Sequence, residues 1–297
     1  MATPERLAEQ FEEHRPHVRA AAYRMLGSVS EAEDAVQEAW LRLSRTDVSD
    51  IDNLRGWLTT VVARVCLDML RSRTSRREDP LDVHVPDPII ARAIGRGDEG
   101  PEADALLADS VGLALLIVLE KLEPAERLAF VLHDVFGMTF EEIAPVVDRS
   151  VVATRQLASR ARRRVQGQAP TSDADLRTQR RVVDAFLAAV QNGDFEALVG
   201  VLDPEIVLRA DGGAVKGMSR LVRGAQAVVA QAATFSKIAL SNQIVLVNGS
   251  IGVVTRLPDG RVFSVIGFTI AGGKVVEMDI LADQDRISRL DLSAIEP

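Results

Sequence analysis

The chain is short of the residues that secreted domains, metalloproteins and most enzymes depend on. Its 297 residues include one cysteine (Cys66), one tyrosine (Tyr23), two tryptophans and four histidines. A single cysteine excludes an internal disulfide, and His14, His17, His84 and His133 have no zinc-ligand spacing, so no metal or cofactor is expected. The longest apolar stretch, Val111 to Leu119, is far short of the ~18–20 residues a membrane span needs. The amino terminus is charged from its fifth residue and has no signal-peptide core. These absences lead to the expectation of a soluble cytoplasmic protein with no membrane partner. What remains is ordinary globular composition, 47% hydrophobic and 26% charged, enough at roughly 150 residues per domain for two compact domains or three smaller ones.

The net charge of −8 argues against nucleic acid only until its distribution is considered. Arg149, Arg155, Arg160, Arg162, Arg163 and Arg164 fall in one stretch without an acid, and Arg71, Arg73, Arg76 and Arg77 form a second cluster. The acids concentrate in Glu31–Glu38 and between Glu78 and Glu126. Two polyanion contacts and a separate acidic face fit that layout. The plainer alternative is two helix ends, where arginine complements the dipole.

Helical periodicity runs from residue 5 to 77, with a stop at Gly27 and an expected N-cap at Ser30 completed by Glu33. A third helix is expected from Leu54 to about Ser72. Residues 78–101, rich in proline and glycine, read as a flexible linker. Helices resume over 102–166, and Thr139–Val165 has the layout of a helix-turn-helix. After a joint at 167–173 come a helix over 175–192, a short one over 194–202, and β-like runs at 206–209, 244–247, 252–256, 262–270 and 274–280. The expected fold is two all-α domains, the second a helix-turn-helix, followed by an α+β domain with a curved antiparallel sheet. Domain bounds are 7–77, 102–168 and 175–297.

In the candidate recognition helix, Thr154, Leu157, Ala158, Ala161 and Val165 form the inward stripe. Arg149, Ser150, Arg155, Gln156, Ser159, Arg160, Arg162 and Arg163 are left for DNA, with residues near the start reaching base edges and later arginines reaching phosphates. The same pattern would also arise from a solvated basic helix. In the third helix Val61, Val62, Val65, Leu67 and Leu70 read as core, while Arg64, Asp68, Arg71 and Arg73 share one side. Trp57 fits either a core position or a base-stacking one.

The run Ala22-Tyr23-Arg24-Met25-Leu26-Gly27-Ser28, then Glu31–Arg42, then Arg55-Gly56-Trp57-Leu58 and Leu67-Asp68-Met69-Leu70-Arg71, resembles region 2 of bacterial extracytoplasmic-function sigma factors. Leu122–Phe130 with the helix-turn-helix resembles region 4. The resemblance implies that Glu33, Asp34, Gln37, Glu38 and Trp40 dock the clamp coiled coil of the polymerase β′ subunit. It implies that Asn53, Arg55, Trp57, Arg64, Asp68, Arg71, Arg73, Arg76 and Arg77 engage the −10 element. It further implies that the Ser150–Arg164 helix reads the −35 element, with the β flap and an anti-sigma factor as further partners.

Beyond residue 168 the chain resembles a SnoaL-like domain of the cone-shaped nuclear transport factor 2 superfamily, the extension carried by a sigma-J-like subgroup. Three subgroup motifs stand here in altered form: His84-Val85-Pro86-Asp87-Pro88, Asp211-Gly212-Gly213-Ala214-Val215-Lys216, and Asp283-Gln284-Asp285-Arg286-Ile287. They imply an intramolecular regulatory contact of the C-terminal domain with the two sigma domains or the Pro86–Pro88 linker, involving Pro86, Asp87, Pro88, Asp211, Gly212, Gly213, Lys216, Asp283, Asp285 and Arg286. Catalysis in this domain is disfavoured, because every histidine, tyrosine, tryptophan and cysteine precedes residue 168. The reading is therefore a non-enzymatic alternative sigma factor modulated by its own C-terminal domain. The alternative is a ligand-sensing one-component transcription factor.

Overall fold

The computed structural model describes residues 4–47, 51–75, 83–93, 112–168, 173, 175–213, 215, 218–235 and 240–295. Arg76, Arg77, Lys216 and the helix expected over 102–111 lie outside them. Chain contacts divide the protein into two bodies, residues 1–79 with 118–168 and residues 80–117 with 169–297.

In the first body, α1 (Pro4–Leu26), α2 (Val29–Leu43) and α3 (Leu54–Ser75) pack together. Their apolar stripes supply a common core: Val18, Ala22 and Met25 from α1, Ala35, Ala39 and Leu43 from α2, Leu58, Val62 and Cys66 from α3. The start of α2 differs from expectation. Gly27 takes φ +71° and turns the chain, leaving Ser28 as the last extended residue, so Ser28 is the N-cap and accepts the Glu31 N–H. Ser30 lies inside the helix, and Glu31 rather than Glu33 occupies the third helical position.

The second helical group comprises α4 (Leu113–Glu120), α5 (Pro124–Phe130), a π-helical turn (Val131–Val135), α6 (Phe140–Val147) and α7 (Val151–Gln168). Pro124 opens α5 where its missing N–H costs nothing, and Thr139 with Glu142 forms a capping box on α6. Asp148 adopts a left-handed conformation (φ 56°) to end α6. Ser150 Oγ accepts the Ala153 N–H at 3.2 Å and starts α7. The expected helix-turn-helix is present, with Thr154, Ala158 and Ala161 buried.

The second body holds a seven-stranded sheet in the order β1-β4-β5-β6-β7-β2-β3. The strands are β1 (Ile90–Arg92), β2 (Leu202–Asp211), β3 (Arg220–Arg223), β4 (Ser241–Val247), β5 (Ser250–Arg256), β6 (Val262–Ala271) and β7 (Lys274–Leu281). Helices α8 (Leu176–Asn192), α9 (Phe195–Val201) and α10 (Ala225–Phe235) pack on one face over Val183, Phe186, Leu198, Leu208, Val253, Phe268 and Met278. A short α11 (Gln284–Ile287) follows β7.

Two expectations are corrected here. The sheet is mixed, because β2 and β7 pair in parallel. Hairpin turns impose antiparallel pairing only on strands consecutive in the chain, and these two are not. Nor is the expected linker a featureless tether: β1 lies inside it and pairs antiparallel with β4, Ile90 opposite Val247, so that linker residues form one edge of the sheet. Without β1, β4 would be the sheet edge, and a row of open backbone groups is a ready template for an added strand. The short β3 and the alanine-rich α10 were not expected.

Candidate protein and nucleic-acid interfaces

Helices α1 and α2 enclose an open groove of about 400 Å³ lined by Phe11, Glu12, Arg15, Glu33, Gln37 and Trp40. Trp40 lies half-buried against Phe11, ring centroids 5.1 Å apart, so its exposed edge forms part of the wall. The acidic face is less negative than its sequence. Glu33 is held by Arg15 at 3.1 Å and Arg19 at 2.5 Å, and Glu38 by Arg42 at 2.9 Å. Asp34 and Gln37 project to solvent, and among the described residues Asp34 makes no ion pair. Arg15 and Arg19 lie on another helix, which is why sequence spacing gave no sign of them.

On α3, Arg64, Asp68 and Arg71 are exposed along one side, as expected. The neighbouring candidates are more constrained. Asn53 Oδ1 accepts the Gly56 N–H at 3.0 Å and so caps the helix. Arg55 donates to His17 Nδ1 at 2.9 Å, and Trp57 is half-buried. Arg73 turns inward, donating to Glu31 at 3.1 Å and to the Leu26 carbonyl at 3.2 Å, which ties α3 to the α1–α2 turn. Cys66 beneath them is inert: burial pushes its thiol up to about 12, against a smaller opposing pull from Arg127.

In α7 the candidate residues separate into two sets. Arg149, Ser150, Arg155, Gln156, Ser159, Arg160 and Arg163 are exposed, Arg160 with one guanidinium nitrogen 3.8 Å from Glu126. Arg162 is bound by two hydrogen bonds to Asp134, at 2.6 and 3.0 Å, and Arg164 reaches Glu126 at 2.9 Å, so these two brace the helix against α5 and its π-helical extension. Arg155 is held over Phe140 at 5.4 Å, and Phe140 stacks on His133 at 4.0 Å. That sandwich fixes the arginine near the start of α7, an arrangement that α7 by itself does not reveal.

Region by region, the first body is also pinned internally. Arg127 of α5 is buried, with its Nε unpartnered and Nη2 3.5 Å from the Arg24 carbonyl. Burial, aided by the charge of Arg73, lowers its pKa to about 10 against the pull of Glu120, so it stays charged at neutral pH. Phe136 takes the Arg24 guanidinium on its face at 5.2 Å and meets His17 edge-on at 5.2 Å.

In the second body the three altered motifs converge. Asp283 caps α11 and projects Arg286, whose Nε reaches Asp87 Oδ1 at 2.8 Å and whose Nη1 reaches Asp211 Oδ2 at 2.8 Å. Arg286 Nη2 donates to the Val85 carbonyl at 2.6 Å, while Val85 N–H donates to Asp211 at 3.1 Å. Burial alone would raise the Asp211 pKa. Hydrogen bonds from His84, Val85 and Gly213 and the charge of Arg286 outweigh it and bring the group down to about 2. Gly213 has φ +61°, and a Cβ there would collide with the Asp283 carboxylate, so glycine is required. Pro86 and Pro88 are buried beside the clasp, whereas Asp285 is exposed. Two further residues hold the clasp beyond the expected contacts: His84, which opens the first motif and lies 3.1 Å from Asp211, and Asn248. Asn248 accepts the Ile89 N–H at 3.0 Å and donates its own N–H to the Ile89 carbonyl at 2.9 Å. In the sequence, Asn248 followed by Gly249 signals only a turn. Among the described residues no cluster fit for a metal is found, and no helix is long and apolar enough to cross a membrane.

Comparison with known proteins agrees with this layout. Residues 10–76 match sigma-70 region 2 and residues 113–165 match sigma-70 region 4. The chain is 38% identical to the ECF RNA polymerase sigma factor SigJ of Mycobacterium tuberculosis over 94% of its own length and 92% of that protein's. It is 41% identical over 201 residues to the probable ECF RNA polymerase sigma factor SigI of the same species, 67% of each chain. The crystal structure of SigJ superposes with a TM-score of 0.73 at 34% identity, covering 96% of this chain and 99% of that one.

Proposed function

This chain belongs to the extracytoplasmic-function sigma factors of the sigma-70 family, and from that premise we propose how its surfaces divide the work. It is an alternative sigma factor that binds core RNA polymerase and directs promoter-specific transcription initiation; it is not an enzyme. The groove between α1 and α2, with Asp34, Gln37, Glu38 and Trp40 on its rim and Glu33 in its wall, docks the β′ clamp coiled coil. A groove with an aromatic wall suits an inserted helix, and the uncompensated Asp34 selects a basic partner. The α3 side bearing Arg64, Asp68 and Arg71, with Arg55, Trp57 and the adjacent Arg76 and Arg77, engages the −10 element; Asn53 and Arg73 fix the ends of that surface. The outward row of α7 reads the −35 element, Arg155 and Gln156 at base edges, Arg160 and Arg163 at phosphates. Region 4 meets the β flap. Such partners put its site of action in the cytoplasm.

The observation that carries the proposal is the pairing, in one body, of the α1–α2 groove with a helix-turn-helix whose outer row is almost wholly polar and cationic. The C-terminal domain acts on the segment between α3 and the helix-turn-helix: by adding β1 to its sheet and clasping Asp87, it takes up residues 83–93 of that segment. Multi-round transcription by core polymerase with the full chain, on a panel of promoters, tests the whole reading. Transcription from a distinct promoter set that requires the chain is expected, and no dependence on the chain at any promoter would refute it. Deleting residues beyond 168 abolishes the clasp, whereas truncation from Ala282 removes only Arg286 and its neighbours. The two deletions should therefore change promoter output differently, and identical output from both and from the full chain would sink the regulatory part.

A further inference from the structure

Among the described residues, the most exposed large hydrophobic side chain is Val152, at 65%. It stands at the second position of α7, two residues after the Ser150 cap, and is followed on the same face by Arg155, Gln156 and Ser159, all exposed. Thr154, Ala158 and Ala161 point the other way into the body, at 0–1% exposure, so Val152 has no packing duty. Helix propensity does not favour it either, since a β-branched residue is a poorer helix former than most alternatives. A polar row interrupted by one apolar side chain calls for an apolar partner.

Resting on the reading of α7 as the −35 helix, we propose that Val152 is a specificity-determining residue that recognises the C5 methyl group of a thymine in the −35 duplex. In the major groove the thymine methyl is the one apolar feature on a base-pair edge, and it is read by apolar contact. Residues at the start of a recognition helix reach the base edges. Valine in a helix is largely confined to one χ1 rotamer, so its methyls are presented with little entropy left to lose. The hydrogen-bonding and charged neighbours Arg155 and Gln156 set the register, and Val152 adds discrimination of A·T from G·C and of T from A at one position.

The experiment selects −35 sequences from a randomised duplex library with the complete chain assembled on core polymerase, in parallel with a library carrying deoxyuridine in place of every thymidine. Deoxyuridine keeps the pairing and removes only the methyl. The wild-type protein should enrich thymine at one position opposite the helix start, and its preference there should fall about fourfold in the deoxyuridine library, the worth of one buried methyl. V152A should lose the preference at that position alone and give the same result in both libraries, while V152T, which keeps one methyl, should fall between. Equal preferences in both libraries for the wild type would overturn the proposal, and this comparison needs no variant to fold. A V152A motif unchanged at every position would overturn it as well. If the wild-type holoenzyme enriches no −35 sequence at all, the −35 reading of α7 fails and Val152 with it; an enriched motif without a methyl effect defeats only the present assignment.

Discussion

Replacing Arg286 with alanine tests the clasp between the C-terminal domain and residues 83–93. Its guanidinium makes four contacts, two to Asp87, one to Asp211 and one to the Val85 carbonyl. Both carboxylates are buried, at 7% and 6% exposure, while the Arg286 side chain is 20% exposed. Removing one partner of a buried ion pair costs about 3–5 kcal/mol. The partial exposure admits water and favours the lower end, so about 3 kcal/mol is expected, roughly a 100-fold more frequent opening. The strand should not detach altogether, since Val85 and Ile90 are buried and each contributes about 1.5–3 kcal/mol through apolar burial. Native-state hydrogen exchange reads this directly: the Val85 and Ile89 amides, bonded to Asp211 and Asn248, should exchange about 100-fold faster while those of β5 and β6 stay unchanged. Adding Asp87→Asn and Asp211→Asn should restore part of the protection by removing the stranded charges. Protection at Val85 and Ile89 unaffected by Arg286→Ala would refute the reasoning and assign the hold to β1 pairing and apolar burial. The same clasp has a pH signature. With Asp211 lowered from 3.8 to about 2, its contribution of about 2 kcal/mol is complete above pH 4 and is lost as pH falls through 2. The stability difference between wild type and Asp211→Asn should shrink over that window.

Asp34→Lys should weaken assembly with core polymerase several-fold at low salt, whereas Glu33→Gln, already compensated by Arg15 and Arg19, should change it less; equal effects in a holoenzyme binding titration would dismiss the groove rim. Arg155→Ala should cost about 1–3 kcal/mol in −35 binding at fixed salt if the residue reads a base, and Arg163→Ala should cost less and lower the salt slope by about one. No change in either would exclude α7 from DNA. Arg127→Met should raise the melting temperature, because a buried guanidinium with an unpartnered Nε gives way to an apolar chain of similar length; a clear drop would mean that its link to Arg24 and the field of Glu120 outweigh its desolvation.

The patterns that depend on near neighbours in the chain were legible in the sequence. The period of the apolar stripes, glycines and prolines at the breaks, and the acid-free arginine run fixed α1–α3, the helix-turn-helix and five of the seven strands. They also separated the buried face of α7 from its outer face, since a helix converts spacing directly into direction. Only the tertiary structure decided which charges remain available. Glu33, Arg73, Arg162 and Arg164 look as free as Asp34 and Arg163 in the sequence, yet each is taken up by residues at least 14 positions away. Ion pairing depends on distance in space, and no local pattern encodes it. The same holds for the linker, whose Pro-Asp-Pro run is a flexible segment by composition. It becomes β1 and half of a clasp because β4, Asn248 and Arg286 stand where it passes. Backbone groups and carboxylates lose water only where a partner is already positioned to replace it, and that positioning belongs to the folded sheet.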